Sequence, residues 1–223
     1  MSLTRQEASD AVTGLGWRFV LGELRTYVPV ASFAEGATVA ARVAAACGVA
    51  ADDSLRVDLR ADRAILTLHA PDGRRVGTRE VELAGLVSRA LGADGWTTDA
   101  GAGAGTRAVQ SLEIAIDVLD MAAVLPFWRA VLGYADDPAG GGAVADPFRE
   151  GPAFWFQQMT EPRPQRNRIH VDISVPHDEA ARRIRAALAA GGTVVSDAAA
   201  PAFWVLADVE GNEACVTTWQ GRD

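Results

Sequence analysis

Residues 168–176 read Arg-Ile-His-Val-Asp-Ile-Ser-Val-Pro, and residues 112–118 read Leu-Glu-Ile-Ala-Ile-Asp-Val. Both alternate with a period of two, the pattern of a strand with one buried face. In the later stretch Ile169, Val171, Ile173 and Val175 point one way, and His170, Asp172 and Ser174 the other. In the earlier one Glu113 and Asp117 share the polar face. Each strand leads into a helical stretch that ends on glycine: Met121 to Leu132 before Gly133, and His177 to Ala190 before Gly191-Gly192. With Glu113 laid on His170, these glycines fall at matching distances downstream. Short apolar strands follow each helix, at 142–146 and 153–159 in the first half and at 193–196, 203–207 and 213–219 in the second. Each half therefore reads as approximately βαβββ, one supersecondary unit used twice.

Upstream, residues 97–108 (TTDAGAGAGTRA) are built of Gly, Ala and small polar residues and predict a flexible linker. They divide the chain of 223 residues into 1–96 and 109–223. The first piece opens on Thr4-Arg5-Gln6-Glu7, a capping-box pattern for a helix to about Val12 that Gly14 and Gly16 end. Strands are expected at 17–21 and 23–28, then a helix over 32–47 with Phe33, Ala37, Ala40, Ala41 and Ala44 on one face and Gly48 as its stop. A second strand pair, 55–59 and 64–69, turns at 60–63. A third helix over 78–91 carries Val81, Ala84, Val87 and Leu91 as its packing stripe. The expected class is α+β, with an αββαββα piece ahead of the paired βαβββ piece.

Composition narrows the function. Hydrophobic residues make up 49% of the chain, so a core can be buried, and the net charge is −8 with all 21 basic residues arginine. No arginine-rich stripe stands against the acidic balance, which argues against nucleic acid and anionic membrane as partners. No apolar run approaches the ~20 residues that span a bilayer. The N-terminal MSLTRQEASD lacks a basic region followed by an apolar stretch, so no signal peptide is expected. Cys47 and Cys215 are far apart, which suits a reducing, cytoplasmic setting without a disulfide framework. The glycine spacing in 97–108 follows no strand and opens no helix, so it is not read as a nucleotide loop.

The second piece resembles the glyoxalase-like branch of the vicinal-oxygen-chelate (glyoxalase/bleomycin resistance/dioxygenase) superfamily. LEIAIDVLD and FWRAVLGY carry the resemblance in the first half, NRIHVDI and DVEGNEACV in the second. It implies a small organic ligand in a cleft, lyase, isomerase or dioxygenase chemistry, and a divalent metal. Carried over by position, the first-strand ligands are Glu113 and His170. The last-strand ligand falls on Cys215 where the family carries glutamate, with Glu213 on the same strand face as an alternative; its first-half counterpart is Gln157 or Gln158. An imidazole with carboxylate and amide oxygens suits Zn²⁺, Ni²⁺, Fe²⁺ or Mn²⁺. His170 is the candidate base, supported by Glu113 and Asp172; Asp117, Trp155, Gln157, Trp204 and Trp219 are candidate ligand contacts. A hydrogen-bonded His-Asp pair is also an ordinary structural feature of a sheet face, and non-catalytic binding or sequestration is the alternative function. Phe127 and Trp128 are expected in the core, His177 at an exposed helix start, and residues 136–142 in a loop.

The first piece resembles pterin-4a-carbinolamine dehydratase, through Gly16-Trp17, the helix around 33–46, and RVDL and LTLHAPDG with the following helix. The family's paired histidines fall on Ala51-Asp52-Asp53-Ser54, where both are absent; His69 matches its later histidine. Asp52 and His69 are the candidate pocket here. Dehydration needs groups that move protons near neutral pH, as imidazoles do and an ordinary aspartate does not. The other reading of this piece is dimerisation, giving a homodimer.

Overall fold

The computed structural model describes residues 3–73, 75–101, 107–163, 165 and 168–221. The chain divides into two compact units, Met1–Ser111 and Leu112–Asp223.

In the first unit the capping box forms. Thr4 Oγ1 accepts from the Glu7 amide at 3.2 Å, and Glu7 Oε2 accepts from the Thr4 amide at 2.8 Å. Helix α1 (Arg5–Thr13) follows, then strands β1 (Arg18–Val20) and β2 (Glu23–Pro29), helix α2 (Phe33–Cys47), a 3-10 turn (Gly48–Ala51), β3 (Leu55–Leu59), β4 (Arg63–Leu68) and helix α3 (Thr78–Ala93). The strands form one antiparallel sheet in the order β1-β2-β4-β3. Val12, Val39, Val43, Leu83, Val87 and Leu91 from the helices meet Leu24, Val28, Leu66 and Leu68 from the sheet. Trp17 is fully buried, and its indole N–H donates to Ser88 Oγ at 2.9 Å.

Two expectations change here. Helix α2 turns its other face inward: Gly36, Val39, Val43 and Cys47 are buried, while Phe33 is 59% exposed and Ala37, Ala41 and Ala44 lie at the surface. Burying branched valines removes more apolar surface from water than burying alanines. The stretch Phe33–Ala51 is also long and apolar enough, by length and composition, to cross a bilayer, contrary to expectation; here its Val39, Val43 and Cys47 pack into the core of the first unit. The start of the expected linker is packed as well. Asp99 exchanges backbone hydrogen bonds with Tyr27 at 2.8 and 3.0 Å, Ala100 is buried, and Thr98 Oγ1 donates to Leu15 O at 2.6 Å. Gly16, at φ +77°, lies so close to the Thr98 carbonyl that a Cβ would overlap it. Residues 102–106 lie outside the described residues.

The second unit repeats one topology. Strand β5 (Glu113–Val118) leads through helix α4 (Met121–Leu132) to β6 (Ala135–Asp136), β7 (Val144–Ala145) and β8 (Ala153–Gln158). Strand β9 (Val171–Ser174) leads through helix α5 (Ala180–Ala189) to β10 (Thr193–Ser196), β11 (Phe203–Ala207) and β12 (Glu213–Thr217). The sheets run β5-β8-β7-β6 and β9-β12-β11-β10. In each, the first strand pairs parallel with the last and the other neighbours are antiparallel. The two-residue β6, at the edge of the expected 136–142 loop, completes the first βαβββ.

The halves share a core under their helices. Trp128 stacks on Phe154 at 5.7 Å and meets Phe127 edge-on at 5.5 Å, arrangements worth about 1 kcal/mol each beyond their burial. Cross-links join the halves: Trp128 Nε1 donates to Asp208 Oδ2 at 2.9 Å, Arg183 reaches Val131 O at 3.1 Å, and Glu210 accepts from the Leu119 and Asp120 amides at the start of α4. That carboxylate sits where the helix presents its unpaired N–H groups. The two glycines after α5 do different work. Gly191 takes φ +94°, and a Cβ on Gly192 would strike the Phe127 ring.

Candidate functional site

The site lies at the start of β9. His170 immediately precedes the strand and Asp172 is its second residue, while Val171 and Ile173 pack on the core. Strand β12 runs parallel beside β9 with Cys215 directly opposite Asp172, and β11 places Val205 opposite Cys215 and Phe203 opposite Thr217. The imidazole, carboxyl and thiol donors of His170, Asp172 and Cys215 all lie within 4.8 Å of one another. His170 and Asp172 are exposed and Cys215 is buried. One step along the pair, the Ser174 and Thr217 hydroxyls are 2.8 Å apart. An open cleft of about 860 Å³ covers this face, lined by His170, Asp172 and Cys215 together with Phe203, Val205 and Ala202.

The turn between β11 and β12 fixes the register that brings Cys215 there. Asp208 is buried and accepts from the Glu210 and Asn212 amides, Asn212 Nδ2 and Trp128 Nε1. Asp208 therefore serves as the anchor of DVEGNEACV, a role that the motif alone does not reveal.

The structure separates the other expected residues from this cluster. Glu113 is exposed on β5 and is not part of it. Asp117 pairs with Arg163 at 2.8 Å. Trp155 and Gln157 share the β5 side of the first sheet, opposite Ala115 and Asp117, and line no part of the cleft. Gln158 Nε2 is spent on the Leu119 and Met159 carbonyls. Trp204 belongs to the opposite face of β11, where it pairs with Val216 and packs on the core; Phe203 and Val205 are the cleft residues of that strand. Trp219 stands outside the cleft, its ring edge-on to His177 at 5.4 Å and its N–H 3.3 Å from His177 Nδ1. Glu213 is two residues from Cys215 and outside the cluster.

Register also corrects the counterpart of Cys215. Asp172 faces Cys215 in the second half, and Ala115 faces Trp155 in the first. With Glu113 laid on His170, Trp155, rather than Gln157 or Gln158, stands where Cys215 does. Among the described residues, Glu113 is not one of the side chains that cluster with His170 and Cys215. The set that is assembled offers one nitrogen, one oxygen and one sulfur donor. Tetrahedral zinc bonds of about 2.0–2.3 Å put donors roughly 3.3–3.8 Å apart, so small side-chain rotations bring these three around one ion.

In the first unit Asp52 is exposed just after the 3-10 turn, whereas its neighbour Asp53 pairs with Arg79 at 2.6 Å. The hydrogen bond from Arg79 holds the Asp53 carboxyl below its usual range. His69 directs Nδ1 toward Ala70 O at 3.1 Å, and its amide donates to Ser54 O.

Residues 113–217 match the family described as Glyoxalase-like domain. This segment is a glyoxalase-like domain. Solved structures similar to it include a glyoxalase-related enzyme from Fulvimarina pelagi, at 16% identity over 49% of this chain and 88% of that one, with a TM-score of 0.40. The fosfomycin resistance protein FosX from Listeria monocytogenes, complexed with Mn(II) and sulfate, shares 10% identity over 49% of this chain and 90% of that one, with a TM-score of 0.40. A glyoxalase/bleomycin resistance protein/dioxygenase family enzyme from Burkholderia phytofirmans PsJN shares 14% over 48% and 95%, with a TM-score of 0.37. No curated protein matches the chain.

Proposed function

We propose that the glyoxalase-like domain binds a small organic molecule in the cleft over β9, β12 and β11, and that His170 handles protons on it. The observation that carries this reading is the junction of polar and apolar surface there: the exposed His170 and Asp172 line the cleft together with Phe203 and Val205. Such a site holds an apolar body by burial and orients it with a few polar groups. An imidazole takes up and releases a proton near neutral pH, and a neighbouring carboxyl steadies its orientation. A divalent ion bound there would supply Lewis-acid polarisation of the ligand's oxygens, in keeping with lyase, isomerase or dioxygenase chemistry.

Chemical-shift mapping against a panel of small aromatic and hydroxy acids tests the site. Bound compounds are expected to perturb 170–174, 203–205 and 215, and Phe203→Ala to weaken them about tenfold, as losing a buried apolar contact does. Perturbations confined to other surfaces would sink the reading. His170→Ala separates the two functions: turnover lost with binding kept marks an enzyme, whereas an absence of turnover in the wild type marks a sequestering protein.

The same reading takes the protein as a cytoplasmic homodimer. The first unit runs α-β-β-α-β-β-α, and with His69 as its single imidazole we infer that it serves association rather than dehydration.

A further inference from the structure

We propose that Cys215 is a nucleophile that adds to an electron-poor carbon–carbon double bond of a molecule held in the cleft, with His170 as its base and Asp172 as the positioning residue for the imidazole. This rests on the cleft being a small-molecule site, and it names the class of ligand: a flat, apolar α,β-unsaturated carbonyl compound.

Three observations carry it. The first is the kind of side chains that meet. The Cys215 thiol, His170 imidazole and Asp172 carboxyl lie within 4.8 Å of one another. A nucleophile, a base and a group that orients the base form the constellation of covalent catalysis, and its hydrogen bonds are often long until a ligand is bound. Parallel pairing sets Cys215 directly opposite Asp172, so strand register holds the sulfur beside the carboxyl.

The second is access. Cys215 is only 5% exposed, yet it lines the cleft together with Phe203, Val205 and Ala202. A sulfur enclosed in this way is reached by the narrow edge of a planar conjugated group, while the apolar side chains hold the body of the ligand. His170 and Asp172 are exposed in the same cleft, which puts the base within reach of the bound molecule as well as of the thiol.

The third is the contrast with the rest of the chain. Neither cysteine is in a disulfide. Cys47 is packed in the core of the first unit, and burial pushes its thiol up, the setting of an inert structural cysteine. At the positions matching His170, Asp172 and Cys215, the first βαβββ half carries Glu113, Ala115 and Trp155, which supply no nucleophile. One reactive site per chain follows.

The step balances with no co-reactant. His170 takes the thiol proton as the Cys215 sulfur bonds to the β-carbon. The double-bond pair moves toward the carbonyl as an enolate, and the imidazolium returns the same proton to the α-carbon. S–H is thereby added across C=C, nothing leaves, and reversal releases the ligand unchanged.

The full chain is incubated with benzylideneacetone, a phenyl enone, and followed by intact mass and peptide mapping. The chain has no lysine, so side-chain amines do not compete for the enone. One adduct per chain is expected, heavier by the full mass of the enone and located on Cys215. It should form at least about 100-fold faster than the adduct of free cysteine, the scale of a positioned general base. Cys215→Ser should give no adduct, and Cys47→Ala an unchanged one. His170→Ala should slow capture by about 100-fold, and added imidazole should restore part of the rate, a rescue that a merely structural histidine would not permit. Asp172→Asn should slow capture in the wild-type background and have no further effect beside His170→Ala, because it acts through the imidazole. Capture no faster than on free cysteine, adducts shared equally with Cys47, or an unchanged rate in His170→Ala would overturn the proposal. Circular dichroism checks folding; if Cys215→Ser does not fold, the mapped adduct and its rate in the wild type carry the test. The saturated ketone benzylacetone, which cannot be captured, separates this proposal from the reading it rests on. Chemical-shift changes at 170–174 and 203–205 without capture of the enone would keep the binding site and remove the nucleophile, whereas neither would remove both.

Discussion

At the residue scale, the alternation that turns Val171 and Ile173 to the core and exposes Asp172 and Ser174 was readable from sequence, because a period of two assigns neighbours to opposite sides; it fails at Ile169, which lies ahead of β9 and is 80% exposed. Which other residues meet Asp172 was not readable. Trp204 and Phe203 are adjacent, and composition favours the tryptophan as a ligand contact; pairing with Val216 turns Trp204 to the core and Phe203 to the cleft. The alternation of Phe-Trp-Val-Leu-Ala held that signal once Leu206 was taken as core. Asp208 was hidden for another reason, since a buried anchoring carboxyl looks like any turn aspartate in sequence. It accepts from two amides, Asn212 Nδ2 and the indole of Trp128. Removing it strands a buried indole N–H and frees the turn that sets Cys215 against Asp172. Asp208→Ala should cost about 3 kcal/mol, the sum expected of a charge-assisted bond and an unsatisfied buried donor. Chemical denaturation of the variant measures it, and a loss below about 1 kcal/mol, the size of a single ordinary hydrogen bond, would show the anchor to be dispensable.

At the element scale, existence and order were legible because periodicity and capping residues mark them, whereas orientation depended on packing. Helix α2 illustrates the difference. Its alanines form a continuous stripe that reads as a packing face, yet Val39 and Val43 are the residues at zero exposure. An alanine-rich helix is apolar all round, so its sequence barely distinguishes the faces, and the larger side chains decide by burying more area. Val43→Ala should therefore cost about 2 kcal/mol, from two lost methyl equivalents and the cavity left behind. Ala41→Glu on the outer face should stay within roughly 0.5 kcal/mol. Equal losses in urea denaturation, or a larger loss at Ala41, would mean that α2 packs the other way round. Strand β6 escaped sequence reading because two residues carry no period, and it is recovered only by pairing with β7.

At the scale of the whole molecule, the core residues fall into two clusters with no member in common, one in each unit. The units are of ordinary domain length, each with a sheet-and-helix core of its own. Residues 97–101 fold against the first unit, so the division between the units falls later than the composition of 97–108 alone predicts. Separate cores lead to separate cooperative transitions. In differential scanning calorimetry the wild-type chain should show two, and the variants above should sort them. Val43→Ala should lower only the transition of the first unit, by roughly 8 °C if about 4 °C follows each kcal/mol in a domain of this size, and Asp208→Ala should lower only that of the second. A single transition displaced by both substitutions would show the two cores to be coupled, and would place the stability of the cleft under the control of the first unit as well as its own.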